Sequence, residues 1–280
     1  VPFAKTESGV EYDPRLLDRC EQRFWREIWE STPDAVAEAH LVEIGRFGPI
    51  QVTVVAHLRR VSVLNLILGA SEPGAVTDGH LAEATNWAEA RGAGGYVPIT
   101  PGLPEAEAAQ AWLSSHCFEP AYAWMKFVRD AHPPRFAAPE DVEVVEIDRA
   151  EEAPFGAIAA LGFDLPAWTA ALFANLPERE AWRCYIARLN GEPRACAAML
   201  LDEGIAEFGI AATLEGARGR GCQLALLHRR ILDAAAAGCH TLFVETGERV
   251  PGRPAASYRN ILRAGFEEAY LRPNWAAEQT

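Results

Sequence analysis

Arg218-Gly219-Arg220-Gly221-Cys222-Gln223 opens the run RGRGCQLALL, and the reading of these six residues decides the fold of the chain around them. They stand where the hydrophobic pattern changes from strand to helix: Leu224, Leu227 and Ile231 follow at helical spacing, and Gly238 supplies a stop. The first turn of a helix presents N–H groups that have no intrahelical acceptor, and the helix dipole adds partial positive charge, so the segment reads as an anion site. Gly219 and Gly221 let the backbone approach an anion closely. Arg218 and Arg220 can each add a charge-assisted hydrogen bond of about 1.5–3 kcal/mol. Pyrophosphate is the natural occupant. The Lys-Ser/Thr ending of a nucleotide P-loop is missing, as is the Gly-x-Gly-x-x-Gly of a dinucleotide fold. A solvated turn capping a helix is the plain alternative.

Outward from this loop, the pattern predicts a strand over 142–147, helices near 154–161 and 166–175, and a meander of strands over 183–189, 194–201 and 206–212. Asn190-Gly191 is a hairpin signal between the first two strands of the meander. A helix over 221–237 is followed by a strand over 241–246, a helix over 255–264 and a strand over 269–275. The strands on either side of the 221–237 crossover helix are expected to be parallel neighbours.

The first half echoes this ending. EARGAGGYVPIT ends at Thr100 and AAAGCHTLFVET at Thr246, an offset of 146, and each reads as helix end, turn and strand. FEPAY at 118–122 and FEEAY at 266–270 follow at an offset of 148. Two units are expected, 1–136 and 137–280, joined by AHPPRFAAPED at 131–141, whose three prolines suit a linker. The stretch LILGASEPGAVTDGHLAEA at 66–84 corresponds to the Arg-Gly loop but has no arginine, and Glu72 and Asp78 are expected to repel an anion there.

A 280-residue chain with 49% hydrophobic residues buries a core of two domains, or of one large one. Its net charge of -13 disfavours nucleic acid, which needs clustered Lys and Arg. No apolar run approaches the roughly 18 residues of a membrane span, so neither a nucleic-acid nor a membrane partner is expected. The six cysteines form no C-x-x-C pair and read as thiols, and the N-terminal residues show no signal pattern; both suit the cytoplasm. The scattered histidines give no metal-ligand spacing, so no metal is expected. Lys5 and Lys126 are the only lysines, which leaves arginine and backbone amides to hold a phosphate in the second half.

The pattern R-x-x-G-x-G/A between a strand and a helix resembles the acyl-CoA loop of the GNAT superfamily of N-acyltransferases. NILRAGF at Asn260–Phe266 resembles that family's later helix ending in Gly-Phe. Gln223 departs from the usual small residue and resembles a subgroup of the family. The resemblance covers 141–276 and implies an α/β fold with a mixed sheet. With the internal repeat, the chain resembles tandem GNAT proteins whose first copy is degenerate.

The resemblance implies an acyl-CoA, acetyl-CoA by default, or a carrier-protein phosphopantetheine thioester as donor, and a small-molecule amine as acceptor. An acyl carrier protein is then a further partner. The implied cofactor-binding residues are Ala211, Ala212, Thr213, Arg218, Gly219, Arg220, Gly221, Cys222, Gln223 and Asn260. Glu207, on the strand before the loop, is the candidate base, and Tyr258 the candidate acid, one turn from Ile261, where relatives carry tyrosine. The thiolate can also leave unassisted. Glu245 and Thr246 are candidates for holding the acceptor amine. Cys222 is either an apolar filler or a thiol activated at a helix start. An acyl-CoA-binding protein without catalysis, and a thioester decarboxylase on the same fold, stand as alternatives.

Overall fold

A computed structural model describes residues 4–252 and 255–277. The first half runs β1 (Ala4–Lys5), β2 (Glu11–Tyr12), α1 (Pro14–Glu30), α2 (Asp34–His40), β3 (Glu43–Phe47), β4 (Ile50–Val54), β5 (Ile67–Leu68), α3 (His80–Glu89), β6 (Tyr96–Pro98), α4 (Ala106–Ser115) and β7 (Phe118–Asp130). The second half runs β8 (Glu143–Glu146), α5 (Glu152–Gly162), α6 (Ala170–Ala174), β9 (Trp182–Leu189), β10 (Glu192–Asp202), β11 (Ile205–Thr213), α7 (Cys222–Ala236), β12 (Thr241–Gly247), α8 (Ala256–Arg263) and β13 (Glu267–Ala277). From β2 and from β8 onward the order is the same in both halves: strand, two helices, three strands, helix, strand, helix, strand.

Eight strands form a mixed sheet in the order β6-β13-β7-β12-β11-β10-β9-β8, and β3-β4-β5 form a smaller antiparallel one. The last strands of the two halves are exchanged. β7 lies between β12 and β13, and β13 lies between β6 and β7, so the sheet runs unbroken across the 131–141 connection. Of the ladders in the large sheet only β11 with β12 is parallel, as the crossover helix between them requires.

Helices cover both faces of the sheet. Leu17, Phe24 and Ile28 of α1 pack with Phe155 of α5, Leu172 of α6 and Phe243 of β12 on one face. Leu226, Leu227 and Ile231 of α7 pack with Ile261 of α8 and Phe127 and Phe208 of the sheet on the other. α1 starts as its sequence dictates: Asp13 accepts the Arg15 N–H at 2.9 Å, and Pro14 occupies the first turn. Trp25 and Trp29 share a helix face, their rings 6.4 Å apart. Asn190 and Gly191 turn the β9–β10 hairpin with φ of 54° and 80°.

The helix expected over 166–175 is shorter. Pro166 is extended and the Thr169 hydroxyl bonds back to its carbonyl at 2.7 Å, which makes a tight turn before the five residues of α6. β13 is longer than expected because β6 and β7 of the first half pair with it on both edges.

Candidate active site

The site begins with a strand that leaves its neighbour. β11 and β12 pair from Ile205 with Thr241 as far as Phe208 with Val244, and then separate although β11 continues to Thr213. A bulge causes this. Cys196 faces Ala212 and Ala198 faces Gly209, so Ile210 and Ala211 together oppose Ala197, and Ile210 takes a φ of 49°. A β-branched residue there costs about 1–3 kcal/mol unless its surroundings hold it. Arg230 of α7, fully buried, donates to Ala198 O at 2.9 Å and to Gly209 O at 3.4 Å, and lies over the Phe208 ring. Burial without a carboxylate pushes this guanidinium down to about 10. Ala212 and Thr213 pair with β10 on one edge, and the stretch Ala211–Thr213 presents the other to the gap beside β12.

The loop follows directly. Leu214 N–H donates to Arg194 O at 2.9 Å, a tight turn over Glu215–Ala217 follows, and Gly219 and Gly221 both take left-handed backbone, φ 76° and 86°. A side chain at Gly221 would lie 2.9 Å from Pro139 Cγ of the connecting segment, whereas nothing stands within 4 Å of that position at Gly219. The first bond of α7 runs from Ala225 N–H to Gly221 O at 3.0 Å, which leaves the amides of Cys222, Gln223 and Leu224 without a carbonyl one turn back. Arg218 and Arg220 are exposed, and no ion pair engages either one among the described residues. Arg218 donates only to Thr213 O, at 3.4 Å.

Gln223 and Asn260 engage each other. Asn260 Nδ2 donates to Gln223 Oε1 at 2.9 Å and Gln223 Nε2 to Ser257 Oγ at 2.6 Å, so the Gln223 side chain fastens α7 to α8. Of the two readings of Cys222, the structure fits the apolar filler: the residue is buried in the α7 face of the core, and desolvation pushes its thiol up.

On the opposite face, Glu207 lies in a buried charge network that the sequence reading did not foresee. Lys126 Nζ of β7 is 2.8 Å from Glu21 Oε2 of α1 and 2.5 Å from Glu245 Oε2 of β12. Arg272 of β13 is paired with Glu21 and lies 3.3 Å from Glu245 Oε2. Among the described residues no ion pair reaches Glu207, which is 4% exposed with Oε2 unpartnered. Burial, reinforced by Glu21 and Glu245 and opposed by Lys126 and Arg272, holds the Glu207 carboxyl well above the usual range. Burial also pushes Glu21 up, but Arg272 and Lys126 outweigh it and hold that carboxyl at about 2. Glu245 is raised by burial and by Glu21. Thr246, one residue on, pairs with Met125 where β12 faces the gap.

Tyr258 is not brought to Glu207. Its ring packs edge-on against Phe127 on the α7 face, and its hydroxyl donates to Glu268 at 2.5 Å. Burial and that carboxylate raise the phenol above its ordinary value. Glu207 alternates with Ala206 and Phe208, which belong to the α7 face, and therefore points the other way, toward α1.

In the first half, the loop between β5 and α3 holds an anion of its own. Glu105, at the start of α4, accepts the N–H of Gly74 at 2.8 Å and of Val76 at 2.7 Å and the Thr77 hydroxyl at 3.0 Å. Ser71 closes the neighbouring gap by accepting the Thr100 N–H on its hydroxyl at 3.0 Å. The amides of this loop thus already have a carboxylate from within the chain, while Glu72 lies 3.5 Å from Arg19 and Asp78 stands beside Gly74.

Among the described residues no group of His, Cys, Asp and Glu could hold a metal ion, and no helix is long and apolar enough to cross a membrane. The sequence matches no family model and no curated protein. Solved structures do resemble it. A GCN5-related N-acetyltransferase from Kribbella flavida matches with a TM-score of 0.61 at 16% identity, over 88% of this chain and 94% of that one. Another from Sphaerobacter thermophilus matches with a TM-score of 0.57 at 16% identity, over 94% and 90%. A tandem GNAT protein from the clavulanic acid biosynthesis pathway matches with a TM-score of 0.54 at 15% identity, over 81% and 78%. What is shared at these identities is the fold: this chain has the mixed α/β fold of GNAT-superfamily acetyltransferases.

Proposed function

We propose that the chain is a tandem GNAT protein of two units, 1–136 and 137–280, in which only the second binds a donor and catalyses N-acyl transfer to the amine of a small metabolite. The observation that carries this is the parting of β11 from β12 directly beside a helix N-terminus with two unpaired arginines. The donor is acyl-CoA, acetyl-CoA by default, or a carrier protein's phosphopantetheine thioester. Its phosphate binds the amides of Cys222, Gln223 and Leu224 with Arg218 and Arg220, and its pantetheine arm pairs with the free edge of Ala211–Thr213. An N–H of that edge meets the thioester oxygen as charge develops on it. The six free cysteines fit a cytoplasmic setting.

Glu207 takes a proton from the acceptor's ammonium, and Glu245 holds the acceptor at the mouth of the gap. The thiolate leaves unassisted, because the Tyr258 hydroxyl is committed to Glu268. In the first unit Glu105 fills the loop that would receive a phosphate, which makes that copy the degenerate one. The same commitment of Tyr258, with Ile261 in the usual tyrosine position, favours one other reading, an acyl-CoA-binding protein without turnover.

The test is incubation of the protein with acyl-CoA donors and carrier-protein thioesters over a panel of amines, with detection of free thiol. Amine-dependent thiol release supports transfer. Donor binding without release with any amine favours the binding protein, and carbon dioxide released without an amine marks a decarboxylase. Absence of both binding and turnover removes the proposal.

A further inference from the structure

The network behind the gap carries more negative charge than positive, and all of its members except Glu245 are buried. Glu21, Glu207 and Glu245 contribute three carboxyls, and Lys126 and Arg272 two cations, with Glu21, Lys126, Glu207 and Arg272 all buried. Both cations are engaged by Glu21 and Glu245. The remaining neighbours bring Glu207 no further cation. On α1, Asp18 is held by the Thr100 hydroxyl and by Gln22 at 2.8 Å, Cys20 sets a buried thiol beside Glu207, and Arg23 is taken by Glu27 and Asp202. On β13, Tyr270 has a buried hydroxyl without a partner. An ionised carboxylate so placed is strongly disfavoured, whereas a carboxyl that keeps its proton restores neutrality to the three acids and two cations.

We propose that Glu21 and Lys126, both from the first half, are positioning residues that act on Glu207 in opposite senses: Glu21 keeps a proton on it, Lys126 draws that proton away, and a cation arriving at Glu245 releases it. Two residues of the donor-free half thus set the protonation of the base in the other half. The class of acceptor follows, on the acyl-transfer reading given above: a monocationic amine whose charge replaces the lost proton. The protons balance. The ammonium enters as one proton leaves Glu207 for solvent, and Glu207 then takes one N–H proton. The freed nitrogen lone pair forms the C–N bond as the C–S bond breaks, and the second N–H proton goes to the thiolate. Glu207 ends protonated, as it began.

The experiment is a carboxyl carbon-13 NMR titration of protein labelled at glutamate, with Glu207 assigned by its absence in Glu207→Gln. It needs neither donor nor acceptor, so its outcome is separate from whether acyl transfer occurs. Glu207 is expected to be protonated at pH 7 in the unmodified protein. Its midpoint should fall in Glu21→Gln, rise in Lys126→Met and return in Lys126→Arg. Two shifts of the same sign, or an ionised Glu207 at pH 7, overturn the inference. Should the charge variants fail to fold, Glu207→Gln alone decides: it mimics the protonated acid, so its thermal midpoint at pH 7 should equal or exceed that of the unmodified protein, and a fall of several degrees contradicts the inference.

Discussion

Gly219→Ala and Gly221→Ala separate the stability of the donor loop from its function, because the two glycines share a conformation and differ in surroundings. Both have φ in the left-handed region, where a β-carbon costs about 1–2 kcal/mol. At Gly219 the new methyl meets nothing within 4 Å, so the loss stays near 1 kcal/mol and the thermal midpoint drops by roughly 2–4 °C. At Gly221 it would stand 2.9 Å from Pro139 Cγ and 3.1 Å from Pro139 Cβ, ring atoms that cannot rotate away. Overpacking adds about 1–3 kcal/mol, for a total near 3 kcal/mol and a drop of roughly 6–12 °C. Affinity should follow another order. With the phosphate placed as proposed, a methyl at Gly219 crowds it, and losing one charge-assisted amide contact of about 1.5 kcal/mol weakens coenzyme A binding roughly tenfold. Calorimetry with coenzyme A beside a thermal melt reads both quantities. Gly219→Ala binding coenzyme A as tightly as the unmodified protein would refute the placement of the phosphate.

Other perturbations test other parts of the account. Glu21 is ionised in the folded chain down to about pH 2, so it contributes stability above its unfolded value of 4.5 that is lost as pH falls through 2, about 3 kcal/mol in all; acid unfolding of Glu21→Gln should lack that component. Glu105→Ala should lower the thermal midpoint by leaving three donors unpaired, and added acetate or phosphate should restore it in the variant but not in the unmodified protein. Tyr258→Phe should leave kcat within about twofold while costing about 1 kcal/mol of stability; a hundredfold loss of kcat at unchanged KM would instead make the phenol the proton donor.

The glycine turn of 218–221 leading into a helix was legible in the sequence because its features are local. Two glycines, two arginines and an amphipathic run lie within a dozen residues, and Asn190-Gly191 declares its hairpin equally openly. The pairing of β7 with both β12 and β13 was not legible, since a repeat between the two halves says nothing about which strands pair across them. The charge network was hidden for the same reason. Glu21, Lys126, Glu207, Glu245 and Arg272 come from five elements, and each alone resembles a solvated side chain. A signal did exist: Lys126, one of two lysines, sits inside the apolar run AWMKFV, and Asp18 and Glu21 fall on the buried face of an amphipathic helix. Buried charges of that kind imply partners without naming them. Glu105 was missed because its meaning depends on a loop about thirty residues earlier, where only a folded structure shows three donors converging on one carboxylate.

Titration of coenzyme A into the unmodified protein by calorimetry tests the central claim most directly. The account predicts one site per chain, weakened as salt rises and abolished in Arg218→Glu/Arg220→Glu with the thermal midpoint retained. Two sites per chain, or a single site indifferent to that double substitution, would contradict it.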